Sequence, residues 1–258
     1  MTLNTVAATL SVGEKTLLQA TDLELKGGEI TAICGPNGAG KTSLLRVLSA
    51  DVSPTLGQVK LNGRPLNAWD ARVRAQILAV LPQHSTLDFA FAVEAVVALG
   101  RTPHNSGDER DKEIVGAALA AVDSAHLQGR SYTELSGGEK QRVHLARVLA
   151  QIWEPSPHGD RHLILDEPTA SLDLAHQALL LEVVKRFAAE GGSVCLVVHD
   201  LNLAARCADR LLLMRDGAIV ASGAPIDVLT EAEVKAVFNV DVQLITHPQS
   251  GRPLVIQC

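Results

Sequence analysis

No run of this 258-residue chain approaches the roughly 18 to 20 uninterrupted apolar residues of a membrane-spanning helix, although 47% of it is hydrophobic. That excludes crossing a membrane by its own helices, so any membrane role comes through a partner. The N-terminus lacks the basic-then-apolar pattern of a secretory signal. A basic surplus is missing as well: the net charge is −6, which leaves no electrostatic footprint for nucleic acid. Cys34, Cys195, Cys207 and Cys258 form no C-x-x-C pair, so the expectation is a reduced, cytosolic chain without a cysteine framework. The nine histidines include no H-E-x-x-H pair, and no metal site is expected beyond one that a nucleotide brings. Aromatics make up 3% of the residues, and none lies between Met1 and Cys34.

What is present centres on Gly35 to Thr42, Gly-Pro-Asn-Gly-Ala-Gly-Lys-Thr, which fits the phosphate-binding pattern G-x-x-x-x-G-K-[ST] at every fixed position. Glu29 to Cys34 reads as a short buried strand before it, and Ser43 to Leu48 as an apolar-faced helix after it. Glycines let the backbone approach phosphate oxygens while the helix N-terminus offers free N–H groups. The expected nucleotide contacts are Gly35, Pro36, Asn37, Gly38, Ala39, Gly40, Lys41, Thr42 and Ser43. Lys41 supplies a point charge for the β- and γ-phosphates, and Thr42 a hydroxyl for Mg²⁺. ATP or GTP with Mg²⁺ is therefore expected.

Leu3 to about Gly28 alternates like β-structure, and Gly57 to Gly63 is another short strand; together they predict a small antiparallel sheet beside a parallel one. Ile77 to Leu81 is an apolar strand that ends at Pro82-Gln83. Val93 to Leu99 and Glu113 to Val122 read as alanine-rich helices around a polar loop, Asn105 to Glu109, which makes 85–135 a helical insert. Leu135-Ser136-Gly137-Gly138-Glu139 then opens a helix over Lys140 to Gln151, with Ser136 placed to cap it. After a loop with Pro155 and Pro157, His162 to Leu165 is a strand that delivers Asp166-Glu167. A helix over Leu174 to Glu190, a strand over Ser193 to Val198 followed by His199-Asp200, and a hairpin turning at Asp216-Gly217 come next. A helix near Glu231 to Phe238 and a hairpin at Gly251 close the chain. One α/β domain is expected over 1–258, divided into 1–84 (β subdomain and first half of the core), 85–135, 136–222 and 223–258.

Leu135 to Glu139 with Lys140-Gln141-Arg142 resembles the signature of ATP-binding cassette (ABC) proteins. The other marks of that family follow its order over nearly the whole chain: Gln83, Leu163 to Glu167, Ser171-Leu172-Asp173 and His199. The resemblance implies a RecA-like P-loop NTPase core with an antiparallel β subdomain and a helical subdomain, and ATP hydrolysis as the activity. Asp166, at a buried strand end beside the phosphate loop, can hold the Mg²⁺ shell with Thr42 and Gln83; a helix-capping aspartate is the plainer alternative. Glu167 is the candidate to polarise the attacking water, His199 to hold that water in line, and Gln83 to report the γ-phosphate. Alone, His199 would be structural and Gln83 a solvent-exposed loop residue.

A second helix N-terminus at Ser136 and Gly138 is another anion site, with no evident use for one chain binding one nucleotide. The resemblance implies a head-to-tail dimer in which Ser136, Gly137, Gly138, Glu139 and Asp173 meet the nucleotide of the second copy. Family members commonly stack adenine on an aromatic, and the matching position here is Val12, which offers only apolar contact. Expected partners are a transmembrane permease dimer, with Phe89, Phe91 and Val93 as candidate contacts or core residues, and through it a periplasmic binding protein. The expected location is peripheral, on the cytoplasmic face of a bacterial inner membrane. Val97 to His104 resembles importers of iron chelates, haem and cobalamin. Leu172 to Gln177 and the loop from Gln151 to His162 look most like the haem-importing branch, with ferric siderophore or cobalamin as alternative cargo. A cassette ATPase of DNA repair or translation shares the motifs, but neither a second cassette nor a coiled-coil insertion is present. His158, His162 and His176 read as solvated loop or helix residues.

Overall fold

The computed structural model describes residues 2–83, 87 and 89–258. Its strands are β1 Thr2–Val12, β2 Lys15–Lys26, β3 Ile30–Cys34, β4 Leu56–Leu61, β5 Arg64–Pro65, β6 Leu78–Leu81, β7 His162–Asp166, β8 Ser193–Val197, β9 Arg210–Arg215, β10 Ala218–Gly223, β11 Val242–Thr246 and β12 Pro253–Gln257. Its helices are α1 Lys41–Leu48, α2 Ala71–Ala75, α3 Val93–Ala98, α4 Asp108–Ala121, α5 Gly137–Gln151, α6 Leu174–Ala189, α7 Leu201–Cys207, α8 Pro225–Val228 and α9 Glu231–Phe238.

Six strands form the central sheet in the order β10-β9-β3-β8-β7-β6. All neighbours are parallel except the β9–β10 hairpin. Every residue of β3, β7 and β8 is buried, as expected of parallel strands covered on both faces. The pleat divides them between two cores. Ile30, Ala32 and Cys34 pack with Leu163, Leu165 and the helices α3 to α6 on one face. Ile33, Ile164 and Cys195 pack on the other with α1 and the antiparallel sheet β2-β1-β4-β5. The α/β core, its antiparallel neighbour and the helical group are the architecture expected.

Two local differences have physical causes. Helix α4 starts at Asp108, five residues before the expected Glu113, because Asp108, Glu109 and Asp111 suit the positive N-terminal turn of a helix and are not loop residues. Helix α7, which the periodicity does not reveal, is capped by Asp200, whose Oδ1 accepts the Asn202 and Leu203 N–H groups. The tail then docks on α7 through Asn202, which exchanges two hydrogen bonds with the Val255 backbone.

Candidate active site

The loop between β3 and α1 leaves the sheet through contacts that only glycine permits. A Cβ on Gly35 would lie 2.3 Å from the Met214 carbonyl oxygen of β9. Gly40, the α1 N-cap at φ +97°, has the Leu17 carbonyl oxygen 2.8 Å from where its Cβ would be. The β9–β10 turn straps the loop from outside. Gly217 N–H donates to the Ala39 carbonyl at 3.0 Å, and Gln19 N–H to the Gly217 carbonyl at 2.8 Å. Lys41 is buried, and its Nζ donates to the Gly35 and Pro36 carbonyls at 2.7 and 3.0 Å. Burial pulls its pKa below the usual lysine value, and the charges of Glu167 and Asp166 oppose that shift. Residues Asn37 to Ser43 line a cleft of about 580 Å³ together with Gln83 and Glu167.

The acidic pair enters from β7. Asp166 is its last residue and is buried. Glu167 follows at φ +49°, a left-handed conformation that costs a non-glycine residue about 1–2 kcal/mol. The strained turn lifts its carboxylate into the cleft. Glu167 Oε2 accepts from Gln83 Nε2 at 2.7 Å, and Oε1 lies 2.5 Å from His199 Nε2. Gln83 comes from just past β6 and His199 from just past β8, so the ends of three adjacent parallel strands converge on one carboxylate. That is the end of an α/β sheet where ligands bind. A neighbouring space of about 670 Å³ is bordered by Thr42, Gln83 and Asp166.

Ser136 caps α5 in a full capping box. Its hydroxyl accepts the Glu139 N–H at 3.3 Å, and its own N–H donates to Glu139 Oε2 at 2.8 Å. Those bonds from Ser136 hold the Glu139 carboxyl below its usual range. A Cβ on Gly138 would lie 3.0 Å from the Ser171 carbonyl oxygen, so the helix start sits against the loop that runs from Glu167 to Asp173. Asp173 caps α6 by accepting the His176 N–H at 2.8 Å.

The fold thus gathers the phosphate loop, Gln83, Asp166, Glu167 and His199 at one sheet end. Ser136, Gly137, Gly138, Glu139 and Asp173 lie outside the lining of that cleft, and Ser136, Gly137 and Asp173 are exposed. Val12 is exposed and also outside the lining; after the Gly13-Glu14 turn it is Lys15, Thr16 and Leu17 that face the loop. Asp216 and Gly217 line the cleft too. The Asp-Gly pair is legible as a hairpin turn, but nothing local places it beside a loop 180 residues earlier. Of the expected surface contacts, Phe89 and Phe91 are exposed, whereas Val93 is fully buried in the core and offers a partner nothing. His162 is likewise not solvated: it is 1% exposed, with Nε2 3.2 Å from Asn62 Oδ1.

Comparison with known proteins agrees with this geometry. The profile of the family described as ABC transporter matches residues 18–170. The chain is 54% identical over 247 residues, 96% of each protein, to the hemin import ATP-binding protein HmuV of Pseudomonas entomophila. It is 53% identical over 242 residues, 93% of this chain and 88% of the relative, to the protein of that name in Gloeobacter violaceus. Among solved structures, one described as an inward-facing ABC transporter of metal-chelate type superposes with a TM-score of 0.82 at 25% identity, covering 100% of this chain and 97% of the other. A dimeric bacterial ABC transporter cassette superposes at 0.76 and 24% identity, covering 86% and 98%, a likeness of fold. By family profile, by curated relatives and by a sheet end that joins a phosphate loop to a paired Glu167, the chain belongs to the ABC transporter family as an ATP-hydrolysing cassette.

Proposed function

We propose that this protein is the ATPase subunit that energises haem import through a partner membrane permease. The identity of 54% across 96% of the Pseudomonas entomophila hemin import ATP-binding protein is the observation that supports the cargo. None of the helices among the described residues is long and apolar enough to cross a membrane. In this reading the chain sits on the cytoplasmic face of the inner membrane, beneath a permease dimer that receives haem from a periplasmic binding protein.

The residues gathered at the sheet end divide the work. Lys41, now on the Gly35 and Pro36 carbonyls, exchanges these neutral acceptors for phosphate oxygens, a stronger charge-assisted bond. Backbone N–H groups from Gly38 to Ser43 hold the remaining phosphate charge at the α1 N-terminus. Glu167, oriented by Gln83 and His199, takes the proton of the attacking water. Thr42, Asp166 and the Gln83 amide border one space and offer only hard oxygen donors, few enough to leave room for water and phosphate oxygens, which suits Mg²⁺. When bound, the ion spreads the charge of the transferring phosphoryl group. Ser136 to Glu139 and Asp173 of a second copy complete the pocket. Closure is then favoured only while the triphosphate is intact.

The test is uptake into proteoliposomes that hold the permease complex, with haem, a ferric siderophore and cobalamin as competing cargoes. ATP-dependent haem uptake is the expected result. Preference for either other cargo overturns the haem assignment. Ser136→Arg should keep nucleotide binding to the isolated subunit and stop hydrolysis; unchanged turnover overturns the shared pocket.

A further inference from the structure

Helices α5 and α6 meet at one imidazole, that of His176. His176 Nδ1 lies 2.7 Å from Asp173 Oδ1, the atom that also accepts the His176 backbone N–H. Its other ring nitrogen, Nε2, is hydrogen-bonded to Arg142 Nη1 on α5. Arg142 is 7% exposed. The same Nη1 donates to the Asp123 carbonyl just past α4 at 3.1 Å, and the Asp123 carboxylate is 3.7 Å away. A guanidinium has donors only, so Nε2 must carry a lone pair, and the ring proton belongs on Nδ1, where it donates to Asp173. The imidazole is neutral in this arrangement.

Its neighbours make that protonation state consequential. Asp173 ends the loop that begins at Glu167, while Arg142 lies on the helix headed by Ser136. We propose that His176 is a positioning residue for ATP hydrolysis: neutral, it locks the loop from Glu167 to Asp173 onto the Ser136 helix, and protonated it releases that lock. An imidazolium would turn Nε2 into a donor facing a second cation, so attraction becomes repulsion between like charges. The charged groups that touch the ring are Asp173 from the α6 cap and Arg142 from α5, and behind Arg142 stands the Asp123 carboxylate just past α4. Asp173 keeps its bond to either form of the ring, and only the Arg142 contact is lost.

The inference rests on the reading that Glu167 and Ser136 serve one hydrolysis. The experiment measures kcat and KM for ATP against pH in the full chain with its permease, for the parent, His176→Gln and His176→Lys. A glutamine can donate to Asp173 and accept from Arg142 without titrating, whereas a lysine imitates the charged ring. His176→Gln should keep kcat within about twofold at alkaline pH and lose part of the acid limb of the profile. His176→Lys should lower kcat about tenfold or more at every pH, with KM within about twofold. A lysine variant with parental kcat, or a glutamine variant with an unaltered acid limb, overturns the proposal, as does a joint loss of kcat, KM and melting temperature in both. Should His176→Lys not fold, the His176→Gln profile decides. Ser136→Arg separates the two readings. If it turns over normally, the shared site fails, and if it is dead while His176→Lys is active, only this inference fails.

Discussion

Acid should weaken the fold through His162, the first residue of the strand whose far end carries Asp166 and Glu167. Burial pushes its pKa from 6.5 down to about 4, against a smaller opposing pull from Asp160. At neutral pH the ring is uncharged in both folded and unfolded chains, and there is no difference to exploit. As pH falls through 6.5 the unfolded chain takes a proton, while the folded chain takes none until about 4. In that window the unfolded state binds more protons, so stability declines with falling pH and levels off below it. Each pKa unit corresponds to about 1.4 kcal/mol, which gives a total of about 3.5 kcal/mol, of which about 2 kcal/mol is lost by about pH 5. Urea denaturation at about pH 7 and pH 5, with parent and His162→Gln side by side, isolates this from other histidines. His104 is shifted the same way by burial but contributes equally to both proteins. The variant should lose about 2 kcal/mol less than the parent between the two pH values, and a difference below about 0.5 kcal/mol would refute the reasoning.

Glu167→Gln keeps a side chain that Gln83 and His199 can still contact but removes the proposed base, so turnover should fall by a factor on the order of 10² to 10⁴ while ATP binding persists. Single-turnover ATPase assays with equilibrium binding check this, and residual turnover near the parental rate would discard Glu167 as the base. Lys41→Ala should abolish nucleotide binding or turnover, read by binding titration, and normal ATPase activity in it would contradict the phosphate-loop assignment. Gly35→Ala places a Cβ 2.3 Å from the Met214 carbonyl oxygen, which demands backbone movement; a loss of about 1–3 kcal/mol of stability together with weakened ATP binding is expected in denaturation and binding experiments.

Chemistry carried by contiguous residues was legible in the chain itself. Gly35 to Thr42 match a phosphate-binding pattern that can be read locally, because glycine spacing, a lysine and a hydroxyl are local requirements. Short apolar runs announced buried strands, and Ser136 announced a helix start. Tertiary structure alone decided what depends on register between distant segments. It brought Gln83 and His199 to the same carboxylate, because β6, β7 and β8 are neighbours in the sheet though far apart in the chain. It set Asp216-Gly217 against the phosphate loop, turned Lys15 to Leu17 toward the cleft in place of Val12, and sank Val93 and His162 into the interior. Local sequence governs which backbone conformations are cheap. Which side chains share a pocket is settled by strand order and helix packing, sums over contacts that no single stretch contains.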